Sequence, residues 1–118
     1  MDKNSYSDIE RLNHISDAVG LIQAFCNGKN ESDFLNDPML SSGVLYQFMI
    51  IGEAIRFIDP ELLANYPYPW HLPKSFRNYV THEYFGINLK QVYKTVTDLL
   101  PEFKRVVDQI IDNEKVLD

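Results

Sequence analysis

Apolar residues return every three or four positions along most of this chain, the spacing of one face of an α-helix. No stretch alternates with the two-residue period of a half-buried strand. Ile9, Leu12, Ile15, Val19, Ile22 and Cys26 form the first stripe, which predicts a helix from about Ser7 to Asn27 stopped by Gly28. A polar connector, Lys29 to Asp33, follows. Asp37-Pro38 pairs a capping carboxylate with a proline in the first turn. It opens a helix over about 38–58 that carries Leu40, Val44, Leu45, Phe48, Met49, Ile51, Ile55 and Ile58. That stripe is wider than a surface helix needs, so it serves either the bundle centre or, in part, a second subunit. Asp59-Pro60 repeats the cap signature and opens a short helix ending near Tyr66. Pro67, Pro69 and Pro73 keep the chain extended or turning up to a helix over about 74–85, which Gly86 closes. Asn88 then caps a last long helix with Leu89, Val92, Val96, Leu99, Phe103, Val106 and Ile110 in register. The apolar phase continues past Pro101, which predicts one kinked helix rather than two unrelated ones. The expected fold is all-α, an up-and-down bundle of four main helices plus short helices, in a single domain over residues 1–118.

Composition narrows the function classes. A domain of 118 residues with 45% hydrophobic content can bury roughly two thirds of its unfolded surface. No apolar run approaches the ~20 residues that span a bilayer. Met1 to Ser5 lack the basic-then-apolar order of a secretory leader, so a cytoplasmic location is expected. A lone cysteine, Cys26, excludes an intrachain disulfide and lies on the first apolar stripe, which gives it a packing role. His14, His71 and His82 form no His-x3-His pair and no cysteine pair exists, so neither metal nor cofactor is expected. The net charge of −6 argues against a general nucleic-acid binder, because nonspecific affinity comes largely from neutralised phosphates. Any RNA contact must then rest on a local concentration of cations: Lys74, Arg77 and Lys90, with Arg56 approaching them. A partner with a basic surface is also favoured by this charge.

The chemistry concentrates in residues 77–84, Arg-Asn-Tyr-Val-Thr-His-Glu-Tyr. With about 100° of rotation per residue and Arg77 at zero, Thr81 falls at about 40°, Asn78 at about 100°, His82 at about 140° and Tyr84 at about −20°. The polar groups share one half of the cylinder, and Phe76, Tyr79 and Val80 the other. A fixed cation, a group titrating near neutrality and a phenol then look into one cleft. The blander reading is a polar helix face with a capped core histidine.

The stretch Ile51-Gly52-Glu53-Ala54, then Pro69-Trp70, then Arg77-Asn78 through His82-Glu83-Tyr84-Phe85-Gly86, then Leu99-Leu100-Pro101 resembles the HepT-like branch of the HEPN proteins. These are small all-α RNase toxins marked by Arg-x4-His-x-Tyr. The resemblance runs from about Asp37 to Ile110, and departs from the family after Trp70, where Pro73 and Ser75 replace an aliphatic residue and a glycine. It implies an endoribonuclease toxin that acts as a homodimer on an RNA substrate and is neutralised by a cognate nucleotidyltransferase antitoxin of the MNT type. A noncatalytic helical partner subunit of a nucleotidyltransferase is the alternative.

Each residue then takes an expected role. Arg77 binds phosphate and stabilises charge developing during cleavage, because guanidinium is permanently protonated and forks onto oxyanions; otherwise it pairs with Glu83 or another carboxylate. His82 is the general acid or base, since its reference pKa of ~6.5 lets it exchange protons near neutral pH. One motif histidine per chain fills half of an acid–base pair, which gives a chemical reason for two subunits meeting. Asn78 is placed to hydrogen-bond and orient the His82 ring, or is simply a polar helix-face residue. By the resemblance, Tyr84 is the AMP acceptor; the alternative is a half-buried tyrosine with a satisfied hydroxyl. Glu53, flanked by Gly52 and Ala54, pairs with Arg77 or Arg56, or is solvated. Trp70, Phe76 and Phe85 are read as packing residues.

Overall fold

The computed structural model describes residues 6–115, so the Met1–Ser5 segment lies outside the described residues. Among them the chain is helical, with no strand: α1 Asp8–Cys26, α2 Glu31–Asn36, α3 Pro38–Arg56, α4 Pro60–Ala64, α5 His71–His82, α6 Leu89–Asp98 and α7 Leu100–Lys115. The four longest helices are α1, α3, α5 and α7, as expected of a four-helix bundle with short additions. Helix α3 is the central member, packing against α1 on one side and α5 on the other, while α7 closes onto α1.

The wide apolar stripe of α3 is explained by that central place. Val44, Leu45, Phe48, Ile51, Ala54 and Ile55 are all buried between its neighbours, and only Met39 and Tyr46 stand far out on the outer face. The caps read from the sequence are formed. The Asp37 carboxylate accepts from the backbone N–H groups of Met39 at 3.1 Å and Leu40 at 3.2 Å. Asp59 accepts from Glu61 at 2.9 Å, and Asn88 from Gln91 at 3.2 Å. Gly28, at φ 74°, ends α1 in the left-handed conformation that glycine tolerates best.

Four features differ from expectation. The polar connector after Gly28 contains helix α2, because Asn30 and Asp33 form a reciprocal capping box that satisfies two orphan N–H groups. Helix α5 starts at His71 rather than 74, since Pro73 sits in its first turn, where no intrahelical N–H is needed. It also ends at His82 rather than 85. The last long helix is divided at Leu99 into α6 and α7, yet the bonds from Leu99 N–H to the Thr95 carbonyl and from Phe103 N–H to Leu99 run on across the break. Pro101, which has no N–H to return to residue 97, accounts for the interruption.

Candidate active site

Helix α5 is held by its apolar face. Val80 is fully buried, Phe76 meets Phe48 of α3 edge-on at 4.7 Å, and Trp70 donates its indole N–H to the carbonyls of Leu63 and Tyr66. Trp70 and Phe76 are thus packing residues, as expected. At Gly52 the α3 backbone comes so close that a Cβ there would lie 2.2 Å from Arg77 Cβ and 2.4 Å from its Cγ. The stem of Arg77 therefore runs directly over α3, and its head reaches the adjacent Glu53.

Arg77 Nη2 donates to Glu53 Oε2 at 3.1 Å, and Arg56 Nη1 donates to the same oxygen at 3.2 Å. The side chains of Arg77 and Glu53 are only 24% and 28% exposed, so this pair is shielded from solvent far more than a surface ion pair. Arg77 Nε is buried without a hydrogen-bond partner among the described residues. Both alternatives weighed for Glu53, Arg77 and Arg56, are realised together, and the result is a carboxylate shared by two fixed cations. Glu83 is not the partner of Arg77.

Asn78 makes no hydrogen bond with His82 in this structure. Its side-chain oxygen instead accepts from Arg77 Nη1 at 3.3 Å, a bond strengthened by the permanent charge of the donor. His82, the last residue of α5, is exposed. The cleft beside Arg77, about 470 Å³, is lined by Tyr6, Arg11, His14, Met49, Ile50, Glu53, Ala54 and Arg77. His82 is not among those residues. The single cleft expected from the helical wheel is thus divided within one chain: Arg77 faces α3 and α1, while His82 faces outward.

Tyr84 also leaves the position the wheel gave it. The Glu83 N–H closes onto the Tyr79 carbonyl at 2.9 Å and ends α5, and Tyr84–Gly86 form a 3₁₀ turn. The Tyr79 hydroxyl accepts from the Asn88 N–H at 2.9 Å and pins that turn. A 100° advance per residue no longer applies beyond His82, so the stripe shared by Arg77 and Tyr84 is not formed. Tyr84 is 44% exposed, and its ring meets Phe85 edge-on at 5.7 Å. Phe85 is 103% exposed, which corrects its reading as a packing residue: the tight turn carries its side chain off the body of the protein.

Sequence reasoning missed Arg11 and His14. They reach the Arg77 cleft from α1, more than sixty residues away in the chain, and no local pattern announced that approach. Lys74 and Lys90, expected to flank the motif, make no ion pair among the described residues. No group of three or more His, Cys, Asp or Glu among the described residues is placed to hold a metal ion. No described helix is long and apolar enough to cross a membrane.

Comparison with known proteins bears directly on this arrangement. The Ribonuclease HepT-like family model matches residues 15–110, a span that contains Glu53, Arg77, Asn78, His82 and Tyr84. The chain is 30% identical over 105 residues to a candidate RNase of Caldanaerobacter subterraneus subsp. tengcongensis, covering 88% of this chain and 94% of that one. It is 32% identical over 103 residues to a candidate ribonuclease HepT of Thermococcus cleftensis, covering 86% and 92%. It also matches, at 30% identity over 102 residues, 46% of a longer Methanocaldococcus jannaschii protein named as a gamma-glutamylcyclotransferase and candidate RNase. No solved structure matches the chain. With the family model spanning most of the bundle and the whole of the motif helix, the chain belongs to the HepT-like ribonuclease family, and its enzyme class is that of an endoribonuclease.

Proposed function

We propose that this protein is the toxin of a toxin–antitoxin module: a metal-independent endoribonuclease that acts as a homodimer and is neutralised when a cognate nucleotidyltransferase adenylylates Tyr84. The observation that carries the reading is the construction of α5, which anchors Arg77 against Glu53 while leaving His82 open to solvent within a family-matched span.

The chemistry follows from those two groups. A neutral His82 takes the proton from a ribose 2′-hydroxyl, and the freed oxygen attacks the adjacent phosphorus. Negative charge builds on the phosphoryl oxygens, where a guanidinium offers preorganised stabilisation. The P–O5′ bond breaks, a proton is delivered to the departing oxygen, and the products carry 2′,3′-cyclic phosphate and 5′-hydroxyl ends. One chain supplies only one motif histidine, and its Arg77 and His82 face different ways. A second copy whose His82 meets this chain's His82 at the same phosphate supplies that proton, so that two histidines, one from each chain, make the acid–base pair. Tyr84 and Phe85 lie immediately beyond His82 on an exposed turn, accessible to a modifying partner. An adenylyl group there adds bulk and negative charge beside the outward-facing histidine.

The test compares wild type, Arg77→Ala and His82→Ala on RNA in the presence of EDTA. Wild type should cleave and leave 2′,3′-cyclic phosphate ends. Each variant should lose about 10²–10³ in rate with its helical circular dichroism intact. Undiminished cleavage by His82→Ala overturns the mechanism.

A further inference from the structure

The cleft that Arg77 shares with α1 holds a second cation, which forms no ion pair with a carboxylate among the described residues. Arg11 is only 5% exposed, yet its guanidinium meets aromatic faces alone: Phe57 at 4.8 Å and Tyr6 at 5.6 Å from the ring centroids. Its side chain makes no ion pair or hydrogen bond with any described residue. Cation–π contact recovers part of the cost of burying a permanent charge, but supplies no counter-charge. A guanidinium whose stem and faces are buried while its unpaired donors reach solvent at an open cleft is suited to receiving an anion.

The rest of the cleft has the character of a nucleotide site. Its volume of about 470 Å³ is within the range of small-ligand pockets. Met49, Ile50 and Ala54 of α3 give it an apolar floor, and Tyr6 and His14 form an aromatic edge with ring centroids 5.0 Å apart and planes at 86°. Two arginines line it against one carboxylate, and that carboxylate, Glu53, is already shared with Arg56 outside the cleft. This is a local reversal of charge in a chain that carries −6 overall.

We propose that this cleft is a substrate subsite for one nucleotide of single-stranded RNA next to the scissile bond: Arg11 and Arg77 hold its phosphate, and its base lies on the Met49–Ile50 floor against the Tyr6–His14 pair. The proposal rests on the ribonuclease reading and brings α1 into a site that the motif helix was expected to build alone. Single-stranded RNA is the fitting class, because its unstacked bases can enter a cleft and contact aromatic rings, which paired bases cannot do.

A noncleavable single-stranded oligonucleotide, with 2′-deoxy sugars, tests the subsite by fluorescence anisotropy over a series of salt concentrations. Arg11→Met keeps the length of the side chain and removes its charge. It should weaken binding about tenfold. The slope of log affinity against log salt should become shallower by about 0.7, the loss of one phosphate contact to a single strand. A role in folding alone would not move that slope. Arg105→Gln, on the solvent side of α7 beside Glu102, should change neither quantity. If Arg11→Met does not fold, His14→Glu decides: a carboxylate at this exposed rim position must weaken binding, and unchanged affinity overturns the subsite. Wild type that cleaves RNA while folded Arg11→Met matches it in affinity and salt slope removes the subsite and leaves the ribonuclease assignment standing. Arg11-dependent binding without any cleavage does the reverse. Wild type that does not bind the oligonucleotide overturns the subsite outright.

Discussion

At the scale of single residues, the site depends on a glycine as much as on its charged groups. Gly52 is the point where α3 and the stem of Arg77 touch, and the atom it would crowd is Arg77 Cβ, which is fixed to the α5 backbone and cannot rotate away. Gly52→Ala must therefore push the two helices apart, at a cost of about 1–3 kcal/mol typical of overpacking. We expect a clear fall in melting temperature and weaker RNA cleavage as the 3.1 Å Arg77–Glu53 bond is lost. An unchanged melting temperature would show that α5 tolerates the shift. Tyr84 is the other residue whose environment makes a prediction. Its ring is 44% exposed, whereas Tyr79 is half-buried with its hydroxyl engaged by the Asn88 N–H. Co-expression with the cognate nucleotidyltransferase should add adenylyl mass at Tyr84 and spare Tyr79. Tyr84→Phe should stay toxic and escape modification. A neutralised complex whose Tyr84 peptide is unmodified by mass spectrometry points instead to masking by the partner.

At the scale of elements, polar bonds between helices add to the apolar core. Asp108 of α7 accepts from Ser16 of α1 at 2.7 Å and from Lys104 at 2.7 Å, and Lys104 donates to Ser16 as well. Burial pushes the Asp108 carboxyl up, but the hydrogen bonds from Lys104 and Ser16 and the charge of Lys104 outweigh it, so the pKa lies below its ordinary value. A carboxyl with a depressed folded pKa contributes stability that is present above its unfolded pKa of about 3.9 and is lost as pH falls through the folded value. Wild type should therefore melt above Asp108→Asn at neutral pH, and the gap should close progressively below about pH 4. A gap that stays constant down to pH 2 would mean that the difference is packing, not ionisation. The pair formed by Arg105 and Glu102 sits one turn away on the solvent face and lowers the Glu102 carboxyl in the same sense, which is why the comparison with Asp108→Asn is needed to isolate the α1–α7 contact.

At the scale of the whole molecule, the arrangement of charge and motif argues for more than one chain. The cations that matter gather where α1, α3 and α5 meet, with Arg11, Arg56 and Arg77 around Glu53 and the adjoining cleft. The motif histidine is exposed outside that cluster, and the turn that follows it carries the exposed Phe85 ring against Tyr84. A homodimer that buries this exposed turn would bring a second chain's motif imidazole to a cationic cleft that His14, but not His82, lines in this chain. Light scattering should then give twice the 13.7 kDa chain mass. Phe85→Asp should shift the protein toward the single-chain mass and reduce cleavage with it. Monomeric wild type at micromolar concentration would remove the shared-site argument.

Local pattern alone determined the long helices α1 and α3 and the caps that open α3, α4 and α6. Asp37-Pro38, Asp59-Pro60 and Asn88 act within three residues of themselves, so their bonds are legible without tertiary context. The same holds for the family motif. The extent of α5 was less legible, because Pro73 is as compatible with a first turn as with a linker, and because the closing contact from Tyr79 to Asn88 spans nine residues. Only the tertiary structure decided which groups share a cleft. A helical wheel assigns directions but not neighbours. The packing of α5 on Gly52 turned Arg77 inward to Glu53 and left His82 outside, and the fold of α1 back along α3 brought Arg11 and His14 to that guanidinium from a distant part of the chain.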